Sequence, residues 1–263
     1  MLPFLKWAGG KRWLFNDNFI KTLPKFERYI EPFLGGGAGF FALEPNAALI
    51  SDVNSELINL YENVRDNPAG IIQLLQDHQA NHSKDYYYYI RQQVPVSSLE
   101  SAARMLYLNR TCWNGLYRLN QRGEFNVPIG SKTAVLLPSD DFFRASSILK
   151  QAEIIQGDFE KVLSRAGSGD LVFIDPPYTV AHNMNGFVKY NEKIFTWSDQ
   201  IRLKKSIESA AARGASIILS NANHISVAEL YGDLGTKSEV SRHSVISGSS
   251  AFRGTTTELI VRV

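Results

Sequence analysis

Asp175-Pro176-Pro177-Tyr178 follows directly on four apolar residues, Leu171-Val172-Phe173-Ile174. Such a run reads as a buried strand, and two successive prolines, lacking an N–H and fixed in φ, end it and stiffen the turn. The turn gathers a carboxylate, a proline carbonyl oxygen and an aromatic ring at a sheet edge. That set suits a planar base with an exocyclic amine: two acceptors for its N–H groups and a ring to stack on its face. A purely structural turn is the plainer reading of Asp-Pro-Pro, and the tyrosine after a buried strand tips the balance. A second stretch, Glu31-Pro32-Phe33-Leu34-Gly35-Gly36-Gly37-Ala38-Gly39, sits between a strand and a helix, where glycines let a ligand approach the backbone. Asp52 closes the next strand 17 positions after Gly35, near the roughly 20 expected of a carboxylate that takes ribose hydroxyls. The Gly35, Gly37, Gly39 spacing is GxGxG, which disfavours a dinucleotide and leaves a smaller nucleoside-containing cofactor. An ordinary tight turn is the competing reading.

Elements that could hold these groups alternate along the chain, which predicts an α/β protein with a largely parallel sheet. Strands are expected at Arg28–Pro32, Ala47–Ser51, Glu153–Gln156, Asp170–Ile174 and Ser216–Leu219, with two late strands near Glu239–Ile246 and Thr257–Val263. Asn54 is a good N-cap for a helix running to about Pro68. Between there and Phe143 the pattern changes: Ile71–His78, Tyr86–Val94 and Leu99–Leu108 have helical period, and 109–138 is irregular and rich in Asn, Arg and aromatics. This stretch reads as an insert interrupting the sheet.

Composition excludes other classes. The 263 residues are 44% hydrophobic and 21% charged, as in an ordinary folded domain, and a single cysteine, Cys112, rules out an internal disulfide framework. The first charge, Lys6, precedes any apolar stretch long enough for a signal peptide, and no run reaches the roughly 18 apolar residues of a membrane span; a cytoplasmic protein is expected. The net charge of +2 says nothing for a polyanionic partner. Between Arg104 and Lys132, however, Arg104, Arg110, Arg118, Arg122 and Lys132 face one acid, Glu124, and 5 − 1 gives a local +4. Trp113, Asn114, Tyr117, Asn120, Gln121 and Asn126 are interleaved, as base stacking and base-edge contacts require; a solvated basic loop is the alternative. The five histidines (78, 82, 182, 224 and 243) offer no zinc spacing, so no metal is expected. His78 and His82 read as a solvated helix face and Cys112 as a packed thiol.

Several blocks together resemble the Dam-like DNA adenine methyltransferases. They are Lys6-Trp7-Ala8-Gly9-Gly10-Lys11, Glu31–Gly37, Asp52-Val53-Asn54, Tyr107-Leu108-Asn109-Arg110, Asn114-Gly115-Leu116, Arg122–Pro128 and Asp175–Tyr178. The resemblance implies a Rossmann-like methyltransferase fold, a mixed seven-stranded sheet with helices on both faces, and a mostly helical DNA-recognition insert. Residues 1–55 and 148–263 would form the catalytic domain and 56–147 the insert. It implies S-adenosyl-L-methionine as cofactor. Trp7 and Lys11 would approach it, Phe33, Gly35 and Gly37 would line it, and Asp52 would take its ribose hydroxyls. Asp158 would accept its adenine amino group with Phe159 on that ring, and Asp175 would border it. Asp175, Pro176, Pro177 and Tyr178 would form the catalytic turn, with Tyr178 stacked on an adenine extruded from double-stranded DNA. The DNA-facing set would be Lys6, Arg110, Asn114, Arg118, Leu119, Asn120, Arg122, Asn126 and Pro128. Arg122 is the expected guanine contact and Leu119 or Asn120 the wedge at the extruded base. GATC or a related GA-containing site is the expected target, and a bacterial or phage-encoded monomer the expected form. Phosphate contacts from Arg242, His243 and Arg253 compete with a plain surface loop. N4-methylation of cytosine, a catalytically idle DNA-binding module and a small-molecule methyltransferase are the alternatives.

Overall fold

Uninterrupted apolar runs become strands wherever both faces are covered. A computed structural model describes residues 1–120, 122–180, 195–243 and 255–263. In it Tyr29 and Ile30 lie in β1 (Arg28–Glu31), Leu49 and Ile50 in β2 (Ala48–Asp52), and Ile154 and Ile155 in β3 (Ala152–Gln156). β4 is Asp170–Ile174, buried at every position, and β5 is Ser216–Ala222. β6 (Thr236–His243) is polar and β7 (Thr255–Arg262) carries Leu259-Ile260-Val261. The seven strands form a mixed sheet, as the resemblance implied.

Two compact units divide the chain. The first comprises Met1–Asn16 and Leu34–Gly157. It holds α2 (Ala38–Leu43), the parallel pair β2 and β3, and four longer helices, α3 (Ser55–Asp66), α4 (Pro68–Asn81), α5 (Lys84–Gln92) and α6 (Ser98–Thr111), then α7 (Phe142–Leu149). Its core packs Leu57, Leu60, Tyr61 and Val64 of α3 with Ala102, Ala103 and Leu106 of α6. The second comprises Asp17–Phe33 and Asp158–Val263. There β1, β4 and β5 run parallel, and β7 lies antiparallel between β5 and β6. α1 (Asp17–Ile20), α8 (Phe159–Leu163), α9 (Trp197–Ala212) and α10 (Ile225–Leu230) complete it. Gln121, residues 181–194 and residues 244–254, which include Arg253, lie outside the described residues.

Local chemistry sets the helix ends. Asn54 caps α3 by accepting the Leu57 N–H at 3.1 Å, and Asn67 caps α4, whose first residue is Pro68. α5 stops at Gln92, short of the expected Val94, because Val94 precedes Pro95 and is pushed out of the helical region. α6 runs three residues past Leu108, into the stretch read as irregular, since Asn109, Arg110 and Thr111 are all buried and hydrogen-bonded.

The expectation of solvated histidines on α4 is corrected. His78 stacks on Tyr107 at 4.6 Å and 21°, with Nδ1 2.9 Å from the Tyr86 hydroxyl; His82 Nδ1 lies 3.0 Å from the Tyr107 hydroxyl. Burial lowers the His78 pKa to about 4 from an ordinary 6.5. A folded-state pKa below the unfolded value favours the neutral ring, so its stabilisation is complete above pH 6.5 and declines as pH falls toward 4. For a half-buried ring the loss should be about 1–2 kcal/mol. Urea midpoints of the native protein and of His78→Gln, taken at pH 7 and pH 4.5, check this: the gap between them should narrow in acid. A gap independent of pH would contradict it. Cys112 is buried, and burial pushes its thiol up to about 11, as befits a packed side chain.

Candidate active site

The Asp175–Tyr178 turn leaves β4 where Ile174, fully buried, gives way to half-buried Asp175. Tyr178 does not swing freely. Its hydroxyl donates to Glu258 Oε2 of β7 at 2.7 Å and lies 3.1 Å from Ser220 Oγ of β5. Burial first, then the negative charges of Asp175 and Glu258, hold the phenol well above its ordinary pKa, so it stays protonated. Tyr29 is raised in the same way by burial, by Glu31, to which its hydroxyl donates at 3.0 Å, and by Asp175. Two phenols thus lie within the field of the Asp175 carboxylate. Past the turn, Thr179 Oγ1 donates to the Phe195 carbonyl at 2.6 Å.

Phe33, Phe159 and Phe195 form an aromatic cluster in the same unit. Phe33 stacks on Phe159 at 5.4 Å, and Phe195 meets both edge-on. Asp158 caps α8 by accepting the Glu160 N–H at 2.9 Å, and Arg202 reaches the same oxygen at 3.1 Å. Arg202 also pairs with Glu160 and Asp199 and lies 5.0 Å over the Phe159 ring. Nothing in the local sequence pointed to Arg202, which is 44 residues from Asp158.

In the other unit the Gly-rich turn is built around Asp52. Its carboxylate accepts the Gly35 N–H at 3.0 Å on one oxygen and the Asn54 N–H at 3.0 Å on the other. Burial raises the Asp52 pKa, and these amide bonds oppose the rise. Gly35 (φ 48°) and Gly37 (φ 66°) adopt the left-handed region, and a Cβ on Gly35 would lie 2.8 Å from Trp7 Cδ1. Trp7 is therefore pressed against the turn, and the Gly35 carbonyl accepts the Tyr61 hydroxyl at 2.8 Å. Lys11 is buried and its Nζ donates to the Gly9 carbonyl at 2.7 Å. Tyr61 was legible only as core helix; its hydroxyl is what ties α3 to the turn.

The basic stretch 104–132 divides into structural and exposed cations. Arg118–Asn126 forms a hairpin closed by the Leu119–Phe125 bridge, with Arg118 Nε donating to Asn126 Oδ1 at 2.9 Å. Asn120 Oδ1 accepts the N–H groups of Arg122 and Glu124 at 2.9 and 3.0 Å, which sets the tip where Arg122 is exposed. Asn109 holds the Lys6 main chain from both sides, and Lys6 Nζ donates to the Asn114 carbonyl. Asn114 and Pro128 are exposed, the latter with its carbonyl accepting the Trp113 N–H at 2.9 Å.

Three expectations are corrected here. Arg110 is not placed to meet DNA: it is buried, paired bidentately with Asp140 at 2.6 and 2.7 Å, and bonded to the Val135 and Phe4 carbonyls. Arg104 donates to the Ile90 and Arg91 carbonyls, capping the C-terminus of α5. Tyr117 is not an open stacking platform, because it stacks on Trp7 at 5.3 Å and donates to Glu56. Of the five basic residues that made the window positive, Arg118, Arg122 and Lys132 are the exposed ones, joined by Lys6.

A family model for the D12 class N6 adenine-specific DNA methyltransferases matches residues 7–246. The type II methyltransferase M1.LlaDCHI of Lactococcus lactis subsp. cremoris is 39% identical, over 98% of this chain and 94% of its own. The type II methyltransferase M.MjaIII of Methanocaldococcus jannaschii is 34% identical over 92% of both chains. The DNA adenine methylase of Escherichia coli K12 is 32% identical over 87% of this chain and 83% of its own. The match runs from the Trp7 segment through the glycine turn, the hairpin and the Asp175–Tyr178 turn, and the chain belongs to the D12 class of N6 adenine-specific DNA methyltransferases, which methylate adenine in DNA.

Proposed function

We propose that this enzyme methylates the N6 amino group of an adenine rotated out of double-stranded DNA, using S-adenosyl-L-methionine, with Asp175, the Pro176 carbonyl and Tyr178 around the reacting amine. The observation that carries the reading is the catalytic turn, a half-buried carboxylate and a tethered phenol directly after a buried strand. S-adenosylmethionine supplies an activated methyl group on a sulfonium. The residues present fit such a donor: the Asp52 carboxylate accepts main-chain N–H groups of Gly35, Val53 and Asn54, and two oxygens with about four lone-pair sites keep capacity for a ribose diol. Trp7, Lys11, Phe33, Gly35, Gly37, Asp158 and Phe159 would complete its binding, with Asp175 bordering it.

The protein's task is the nucleophile. The adenine amino lone pair is delocalised into the ring, and inside the duplex its N–H groups face a partner base. Extrusion costs a few kcal/mol, and Leu119 or Asn120 on the hairpin would fill the space left behind. Asp175 and the Pro176 carbonyl would accept the two N–H bonds and favour a tetrahedral nitrogen, while Pro177 keeps the turn rigid. Acceptors that strengthen as positive charge grows on the nitrogen act in the transition state, where they raise rate. Lys6, Asn114, Arg118, Asn126 and Pro128 would border the duplex, and Arg122 at the hairpin tip suits bidentate contact with a guanine. A guanine contact there is compatible with GATC or a related GA-containing target, and a monomeric cytoplasmic enzyme is part of the same proposal. The type II relatives favour a role beside a restriction enzyme.

Expression in a host without DNA methylation, followed by sequencing that detects modified bases, tests the reading. N6-methyladenine directly after guanine in one short site is expected. Methylation confined to sites lacking that guanine would overturn the specificity reading.

A further inference from the structure

We infer that Glu258 is a positioning residue for methyl transfer, fixing the Tyr178 ring together with Ser220 and enriching its face in electron density against the positive charge that develops on adenine. The inference rests on the reading of Tyr178 as the ring that stacks on the extruded base. Three contacts define the arrangement: Tyr178 hydroxyl to Glu258 Oε2 at 2.7 Å, Tyr178 hydroxyl to Ser220 Oγ at 3.1 Å, and Ser220 Oγ to Glu258 Oε2 at 3.3 Å. The strand register produces it. Ala222 of β5 faces Glu258 of β7, so Ser220, two residues earlier, is the diagonal neighbour of Glu258 on one sheet face. β4, which delivers Tyr178, pairs with the other side of β5.

Glu258 is 2% exposed and Ser220 fully buried, and Glu258 precedes the apolar Leu259-Ile260-Val261 of a strand paired on both sides. Desolvating a carboxylate costs several kcal/mol, and apolar residues of similar volume would pack there at no such cost. What the carboxylate adds is local. A hydrogen bond at the far end of the phenol fixes the ring plane, so the stacking surface is in place before the base arrives. Donation to an anion also shifts electron density into the ring, and a richer π face attracts a cation more strongly. Positive charge appears on adenine as the N6–methyl bond forms and persists until the nitrogen loses a proton, so the attraction is greater in the transition state than in the bound base.

A double-mutant cycle tests this. Single-turnover methylation, KM for a duplex carrying the target site, and emission of 2-aminopurine at the target position are measured for Glu258→Gln, Tyr178→Phe and their combination, with Tyr178→Ala and melting temperatures alongside. Glu258→Gln is expected to slow the chemical step about tenfold with KM for DNA changed less than about twofold. It should weaken quenching of the extruded 2-aminopurine, and it should cost nothing further in the Tyr178→Phe background. Equal loss in both backgrounds, or no loss beside native Tyr178, would overturn the role of Glu258. Should Glu258→Gln unfold, Ser220→Ala in the same two backgrounds carries the same test. The underlying reading fails separately, and visibly, if Tyr178→Ala retains the native rate.

Discussion

Asp175→Ala is expected to lower the single-turnover rate of methyl transfer by about 10³-fold or more while the protein still folds. The size follows from the work assigned to this carboxylate. In the proposed mechanism it would accept an amine N–H that becomes more acidic as the nitrogen turns cationic, in a half-buried setting where such bonds are stronger than in water. Retained folding follows from its surroundings. Tyr29 and Tyr178 do not depend on it: burial is the first cause of their raised pKa, and each hydroxyl donates to a glutamate of its own, Glu31 and Glu258. The preceding strand, β4, is buried by Leu171, Val172, Phe173 and Ile174, none of which changes. Asp175→Asn should fall between native and alanine, because it keeps one acceptor oxygen and loses the charge. DNA affinity should persist in both, since the exposed cations Lys6, Arg118, Arg122 and Lys132 are untouched. Rapid-quench kinetics with tritiated methyl donor, filter binding and a thermal melt separate these quantities. A well-folded Asp175→Ala enzyme with near-native turnover would sink the mechanism.

What was legible in the chain is what local order determines. β4 runs over Asp170–Ile174 as expected because its pattern is self-contained, and Asn54 caps α3 because a cap needs only its own next turn. The glycine turn and Asp52 were legible for the same reason, being 17 residues apart around one strand and one helix. Partners brought by distant segments were not. Glu258 lies 80 residues from Tyr178 and 38 from Ser220, and reads locally as one acid near the start of a strand. Its one visible oddity is position: an acid directly before three apolar residues. Tyr117 had the composition of a base-stacking residue, yet Trp7 and Glu56 claim its ring and its hydroxyl. The local charge of residues 104–132 misled in the same direction, because counting charges says nothing of which ones are buried in pairs.

Arg110 is the sharpest case, and Arg110→Ala is expected to destabilise the fold by about 3–5 kcal/mol with little direct effect on DNA. The guanidinium and the Asp140 carboxylate are 5% and 7% exposed and meet at 2.6 Å. Arg110 further donates to the Val135 carbonyl at 2.5 Å and the Phe4 carbonyl at 2.8 Å, so one side chain ties α6 to the segment before α7 and to the N-terminal strap that carries Lys6 and Trp7. Truncation would leave a buried carboxylate without its counter-charge and two carbonyls without a donor, and each such group keeps its full desolvation penalty. At this chain length the loss should lower the melting temperature by on the order of 10 °C. Replacing both partners by apolar residues, Arg110→Met with Asp140→Leu, should recover much of the loss, because the charge left stranded is then gone. A DNA contact would behave otherwise: stability would hold, and the slope of log affinity against log salt would fall by about one. Urea denaturation and salt-dependent filter binding on Arg110→Ala therefore decide between the two roles, and a fully stable variant with a shallower salt slope would return Arg110 to the DNA.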